Sequence, residues 1–176
     1  MSISFSWIHG NALVIESPLH FDLQGTQNGQ LVLTPYGWGA EVSVEGAPGV
    51  SWMHLPIPTV YGPLGVFERF NLQRMVLLFL CSGADIRSVH LYDGYEKLQE
   101  FNDLYLEGNF LAKSSRNTFE LAQPHRVERG LSLSFLFAAH SGPTPVRLSV
   151  ATAGAEFDTS NTLVRSLRDI VLNLFP

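Results

Sequence analysis

Apolar and polar residues alternate with period two through most of this 176-residue chain. The clearest run is 131–137, in which Leu or Phe occupies every odd position and serine stands at 132 and 134. Shorter runs near 3–9, 41–45 and 146–150 repeat the pattern. Successive side chains of a strand point to opposite faces of a sheet, so this alternation predicts strands with one face in a core.

About eleven such runs are separated by turn signals, most of them supplied by the 15 Gly and 10 Pro residues of the chain. Asp93-Gly94 lies between two of the runs, and Asp-Gly supplies the positive φ angles of a tight hairpin turn. Many short strands with frequent turns predict an all-β protein. We expect an antiparallel β-sandwich, in the form of a flattened barrel or a jelly-roll-like fold.

One helix modifies this expectation. Residues 75–81 are apolar on both faces, which predicts that something covers the second face of that strand. Near the C-terminus, apolar residues recur at helical spacing, at Leu163, Val164, Leu167, Ile170, Val171 and Leu174. We therefore predict one C-terminal amphipathic α-helix over 161–175, within a helical extension 158–176. It covers its own sheet or a partner's, and 1–176 form a single domain.

Two segments are predicted to be irregular. The stretch 46–65 contains four prolines, and Pro56-Ile57-Pro58 favours extended backbone while removing two hydrogen-bond donors. It predicts an edge strand that leads into a loop. The stretch 107–116 is rich in Ser, Asn and Gly and predicts a second loop.

Composition excludes several classes of function. With 11 Lys and Arg against 16 Asp and Glu, the net charge is −5, whereas nucleic acids and anionic lipids require a basic surface. Charged residues make up only 15% of the chain against about 25% in an average domain, so an apolar patch or a homodimer contact is expected. No apolar run is long enough to cross a membrane, and we expect a cytoplasmic location.

Catalytic and metal-binding signatures are missing from the sequence. The single cysteine, Cys81, ends an apolar run, so neither a disulfide nor a thiolate zinc site is expected. None of the six histidines has a recognised metal-ligand spacing, and no cofactor motif occurs. His9, His54 and His90 lie on three different predicted strands and could meet in space. They are interpreted either as hydrogen-bonded structural histidines, with His9 at the end of the core, or as ligand-binding or general-base groups.

Aromatic residues give the stronger indication of binding. In Tyr36-Gly37-Trp38-Gly39 the glycines leave both rings accessible, and Tyr and Trp often line small-ligand sites as well as filling cores. The candidate ligand-binding residues are His9, Tyr36, Trp38, Trp52, His54, Tyr61, His90 and Tyr92.

Several short motifs occur in a particular order along 5–157. They are Trp7-Ile8-His9-Gly10, the segment 51–59 with its Ile-Pro-Thr, His90-Leu91-Tyr92-Asp93-Gly94, the segment 129–134, and Ala153-Gly154-Ala155-Glu156-Phe157. In this order the chain resembles a family of small, uncharacterised microbial β-rich proteins, a domain of unknown function. Here Val60 follows Thr59, where that family has a second proline. The resemblance implies a β-sandwich-like scaffold and draws attention to His9, Trp52, His54, His90 and Asp93, but implies no activity.

The leading functional hypothesis is a non-catalytic binding or interaction module that recognises a small molecule, a glycan or a protein through an aromatic surface near Tyr36, Trp38 and Tyr61. One alternative is an isomerase or cyclase with a pocket reached by His9, His54 or His90. Another is a structural subunit that associates through 75–81 or the C-terminal helix.

Overall fold

The computed structural model describes residues 3–16, 19–21, 27–46, 49–59, 71–141 and 145–158. Its strands are β1 Ile3–His9, β2 Val14–Ile15, β3 Leu19–Phe21, β4 Gln27–Tyr36, β5 Gly39–Gly46, β6 Val50–Ile57, β7 Asn71–Asp93, β8 Glu96–Phe101, β9 Leu106–Phe110, β10 Thr118–Arg126, β11 Leu131–Ala139 and β12 Arg147–Asp158. Short 3-10 turns occupy Gly10–Ala12 and Ser115–Asn117. The prediction of an all-β protein is confirmed.

Every strand pairing in this part of the chain is antiparallel, as predicted. The strands form one sheet in the order β1-β12-β5-β4-β3-β6-β11-β7-β10, and β12 also pairs with β7. This last pairing bends the sheet into a nearly closed ring. The shortest pairing in the ring is between β3 and β6, where only Phe21 and Val50 are partners. The remaining short strands are accessory: β2 pairs with β6, while β8 and β9 pair with β7.

The strand β7 connects the two halves of the ring. It has 23 residues, pairing first with β12 and then, after Gly83, with β11. Gly83 has a φ of 63°, which only glycine adopts without strain, and the inward positions shift there from Phe79 and Cys81 to Ala84 and Ile86. Two strands predicted from the sequence, 75–81 and 86–93, are therefore one bent strand.

Most core residues are inward residues of β5, β6, β7, β11 and β12, and β4, β9 and β10 also contribute Leu31, Leu106, Phe110 and Phe119. In β11 the predicted inward set is fully confirmed, because Leu131, Leu133, Phe135 and Phe137 are all buried. Burial of each such side chain contributes about 1.5–3 kcal/mol, so this alternation fixes which face of β6, β7 and β11 points to solvent.

The strand β1 departs from the predicted orientation. Its more apolar face points outward: Phe5 is 51% exposed and Trp7 44% exposed, while Ser6 is buried and Ile8 packs on the core. His9 shares the outward face, so the interpretation of His9 as a histidine at the end of the core is wrong. Its Nδ1 instead accepts the backbone N–H of Asn11 at 3.3 Å and caps the first 3-10 turn.

Two further predictions need correction. The strand β6 is not an edge strand, because β11 lies on one side and β2 and β3 pair with it on the other. Only its Pro56 end has a partner on one side alone within the described chain, which is where a proline is tolerated. The predicted loop 107–116 contains most of β9, which pairs with β7.

The predicted C-terminal helix 161–175, within the extension 158–176, lies outside the described residues. The segment 66–71, which its sequence also predicts to be a strand, lies mostly outside them too. Within the described ranges, no helix has the length and apolar character needed to cross a bilayer.

Candidate functional site

A row of polar side chains crosses three neighbouring strands on the outer face of the sheet. His54 of β6 is in register with Ser134 of β11, and Ser134 is in register with His90 of β7. The residues that flank each of them along the strand are buried in the core, so these three side chains project outward by the alternation of the strand. The row thus brings together two of the three histidines that the sequence placed on separate strands.

A groove of about 460 Å³ runs along this row. We call it the strand-face groove and define it by its lining residues, Glu16, Trp52, His54, His90, Tyr92 and Ser134. Its volume falls within the range of ligand-sized clefts, about 300–1,000 Å³. Four of the eight candidate ligand-binding residues line it.

One end of the groove is organised around His54. Its Nδ1 lies 2.8 Å from the hydroxyl oxygen of Ser134, and its Nε2 lies 3.6 Å from a carboxylate oxygen of Glu16. Glu16 is held beside β6 because its backbone N–H donates to the carbonyl of Trp52 at 3.0 Å. Its side chain remains 61% exposed, so the carboxylate is available to a ligand.

Aromatic rings form the other part of the groove. The rings of Trp52 and His90 lie 4.5 Å apart between centroids and are tilted by 39°. The edge of Tyr92 then meets His90, with the phenol oxygen 3.4 Å from Nδ1 of His90. All three side chains are half-buried, so they combine fixed positions with an accessible surface.

A second carboxylate stands at the far end of the row. Glu100 of β8 is in register with His90, and its carboxylate lies 3.8 Å from Nε2 of that ring. Lys97 binds the same carboxylate at 2.5 Å. Burial, together with the positive charge of Lys97, lowers the pKa of His90, and Glu100 opposes this only in part. The imidazole of His90 is therefore neutral at neutral pH.

The remaining candidates lie elsewhere. Tyr36 and Trp38 form a stacked pair at the tip of the β4–β5 hairpin, with centroids 5.3 Å apart and planes within 7°, and both are exposed. Asn11 donates its side-chain N–H to the carbonyl of Tyr36 at 2.9 Å, which places His9 near this hairpin rather than near the groove. Tyr61 lies outside the described residues.

Sequence analysis missed three groups at this site, Glu16, Ser134 and Glu100. Ser134 was identified as outward-facing, but nothing in a single strand indicates which residue of a neighbouring strand stands opposite. No sequence signal separates Ser134 from Ser132 on the same face of β11, and in the structure Ser134 is buried, at 4% exposure.

The order Ser134–His54–Glu16 matches a nucleophile, a base and an orienting acid, but the surroundings do not support acyl transfer. Ser134 lies in the middle of β11 between two paired strands, where the ladder uses the backbone N–H groups that could otherwise stabilise an oxyanion. The backbone around Ser134 therefore offers no oxyanion site for acyl transfer. In the described part of the chain, no group of three His, Cys, Asp or Glu side chains is arranged to hold a metal ion.

A second, larger cavity of about 920 Å³ lies where β8, β9 and β10 meet. Its floor is apolar, with Phe101, Leu106 and Phe119, and its rim includes Arg74 and Lys113. Both cations are already bound by the carboxylate of Glu156, which is buried on the outer face of β12. These ion pairs attach the loop at 113 to the sheet, which is a structural role.

No protein-family model and no curated protein matches the sequence. Among solved structures, similarity is found to a low-affinity xylan-binding module, CBM86, of the gut symbiont Roseburia intestinalis (8% identity, 88% of this chain and 96% of that one, TM-score 0.47). A family 29 carbohydrate-binding module from Piromyces equi also matches (8% identity, 92% and 95%, TM-score 0.37). An exo-β-1,3-galactanase from Phanerochaete chrysosporium matches over 29% of its length (11% identity, 86% of this chain, TM-score 0.35). At these scores and identities the likenesses assign no ligand to this chain.

Proposed function

We propose that this protein is a non-catalytic binding module that holds a saccharide in the strand-face groove. The observation that carries the proposal is the juxtaposition of Trp52 and His90, 4.5 Å apart, with the hydroxyl and carboxylate groups of Ser134, Tyr92 and Glu16 around one cleft. A sugar ring has an apolar C–H face and a periphery of hydroxyls, so a ligand of this kind needs both an aromatic surface and polar groups beside it.

Rigid placement supports the same function. The groove residues other than Glu16 project from β6, β7 and β11, whose inner faces are packed in the core. Side chains fixed on a sheet lose little further conformational entropy on binding, which favours recognition without rearrangement. The open shape of the groove also fits a chain-like ligand better than an enclosed reaction site.

The experiment is calorimetric titration of the whole chain with a panel of soluble neutral oligosaccharides. We expect binding by at least one of them, with a loss of about tenfold or more in affinity for Trp52→Ala, since stacking interactions of this size contribute about 1–3 kcal/mol. Thermal unfolding of the variant verifies that the fold is retained.

Trp38→Ala is the control, because it removes an indole that is more exposed than Trp52 but lies at the hairpin tip, away from the groove. We expect it to leave affinity unchanged. A loss of binding in Trp38→Ala with none in Trp52→Ala would move the binding surface to the Tyr36–Trp38 hairpin. Failure of every saccharide to bind would reject the proposal.

A further inference from the structure

The polar groups of the strand-face groove have a common hydrogen-bonding character. Nε2 of His54 faces the carboxylate of Glu16, and Nε2 of His90 faces that of Glu100. A carboxylate only accepts hydrogen bonds, so the ring N–H of each imidazole is favoured at Nε2, and Nδ1 is assigned as the acceptor.

This tautomer determines the direction of the remaining bonds. With Nδ1 of His54 as acceptor, the hydroxyl of Ser134 donates to it across 2.8 Å. In the same way the phenol of Tyr92 points its hydrogen toward Nδ1 of His90, 3.4 Å away. Both hydroxyls therefore donate their hydrogens to groups within the protein, and their oxygen lone pairs face the groove. Together with the carboxylate of Glu16, they make a surface of acceptors in the groove.

Fixed positive charge does not balance this surface. None of the six lining residues is Lys or Arg. Lys97 is bonded to Glu100, and among the described residues His54 is the only basic side chain within 4 Å of the carboxylate of Glu16. A ligand that donates hydrogen bonds and carries positive charge would complement such a groove, whereas an anionic ligand would be repelled.

We infer that the groove is selective for amino sugars, with the sugar ring on Trp52 and the ammonium group at Glu16. This inference rests on the proposed saccharide-binding function and specifies its ligand class. A hydrogen bond from an ammonium group to a carboxylate is stronger than one from a neutral hydroxyl. The amino sugar should therefore bind more tightly than the same sugar with a hydroxyl in place of the amine.

The test compares three oligosaccharides of equal length at near-neutral pH: a β-1,4-linked glucosamine oligomer, its neutral glucose counterpart and an anionic galacturonate oligomer. We expect the glucosamine oligomer to bind about five- to tenfold more tightly than the glucose oligomer. We expect no measurable binding of the galacturonate oligomer. That last comparison needs no variant.

Glu16→Gln should abolish the preference for the amine, since the amide carries no charge although it still accepts a hydrogen bond. The matched control is Glu45→Gln, which removes the same charge from an exposed position of β5 outside the groove-lining set. It should keep the preference, and thereby separates local recognition from attraction to the net charge of −5.

The outcomes are distinguishable. Equal or tighter binding of the neutral or anionic oligomer overturns the inference and leaves the saccharide-binding function standing. The same follows if Glu45→Gln lowers the preference as much as Glu16→Gln, because the attraction is then diffuse. If none of the oligomers binds, the proposed function itself is wrong, and the inference goes with it.

Discussion

The indole of Trp7 packs directly on the backbone of Gly154, its register partner on β12. A Cβ atom placed on Gly154 would lie 2.4 Å from Cε3 of Trp7, much closer than van der Waals contact allows. The ring therefore occupies the space that a side chain at 154 would fill on the outer face of the sheet. This accounts for the outward orientation of an indole that alternation placed with the apolar face of β1.

Gly154→Ala should destabilise the protein by about 1–3 kcal/mol, because the methyl group displaces the indole. Urea unfolding measures the cost, and Trp fluorescence should report the displaced ring. Gly37→Ala is the control, since a Cβ there meets nothing within 4 Å. In the Trp7→Ala background the same glycine substitution should cost little; an undiminished cost would show that the contact is not the cause.

Alternation could predict the fold class because it depends only on the two faces of a strand. It could not orient β1, because an edge strand has a neighbouring strand on one side only. The apolar side chains of such a strand can pack along the outer surface of the sheet instead of in the core. Alternation also divided β7 into two predicted strands, because a glycine such as Gly83 is a typical signal for a turn between strands. In the structure its positive φ lets the strand bend while pairing continues.

Asp93→Asn should strongly destabilise the protein, although the two side chains have nearly the same shape. Its fully buried carboxylate accepts backbone N–H groups from Glu128, Arg129 and Gly130 at 2.7–2.8 Å, and His125 lies 3.1 Å away. In Asp93→Asn an amide NH₂ replaces one acceptor oxygen, so at least one donor is left unpaired in the core. We expect a loss of about 3 kcal/mol or more in chemical denaturation.

Glu128→Gln is the matched control for Asp93→Asn. Glu128 is exposed and contributes its backbone N–H to Asp93, so changing its side chain should alter stability by less than about 0.5 kcal/mol. Equal losses in the two variants would contradict an anchoring role for the Asp93 carboxylate.

Stability should fall in acid. Burial tends to raise the pKa of both Asp93 and Glu156, but hydrogen bonds outweigh burial and lower the pKa of each. For Asp93 these bonds come from backbone N–H groups and His125. For Glu156 they come from Lys113 and Arg74. The unfolded chain, with pKa values of about 4, then binds more protons than the folded one as the pH drops. The stabilisation is thus complete above about pH 5 and is lost as the pH falls through the lower folded pKa values.

Urea unfolding at a series of pH values checks this dependence. The free energy of unfolding should decrease steadily below about pH 5, and Glu156→Gln should reduce the slope. A profile that is flat in acid, or one that rises, would show that these carboxylates are not stabilised in the folded state.

Cys81 should be unreactive until the protein unfolds. The thiol is buried and lies 3.0 Å from the carbonyl of Ala84, and burial, aided by Glu107 and Asp85, raises its pKa to about 12. Almost no thiolate exists at neutral pH, and the thiolate is the nucleophile. A thiol reagent such as DTNB should label the native protein only at the rate of unfolding, and rapid labelling without denaturant would disprove this.

The site was predicted in part because its residues carry chemical character that is visible in a sequence. Trp52, His54, His90 and Tyr92 were recognised by residue type, and the structure places them in one groove. Their convergence depends on the register of β6, β11 and β7, which is set by long-range pairing that no single segment encodes. For the same reason Asp93 was explained by its turn, while its carboxylate binds the remote segment 128–130.

Ser134 provides the final test of the groove, since it stands between the two histidines without belonging to the aromatic surface. Ser134→Ala removes the hydroxyl that bonds to Nδ1 of His54 and, with it, one acceptor offered to a ligand. We expect affinity for the bound saccharide to fall about five- to tenfold, because one hydrogen bond is lost and the His54 ring is no longer held.

Ser132→Ala is the matched control. Ser132 lies two residues along the same outer face of β11 and outside the groove-lining set, so the substitution should leave affinity unchanged. Calorimetric titration of both variants, with thermal unfolding as a measure of stability, separates the two positions. Equal affinities for the two variants would place the ligand elsewhere on the sheet.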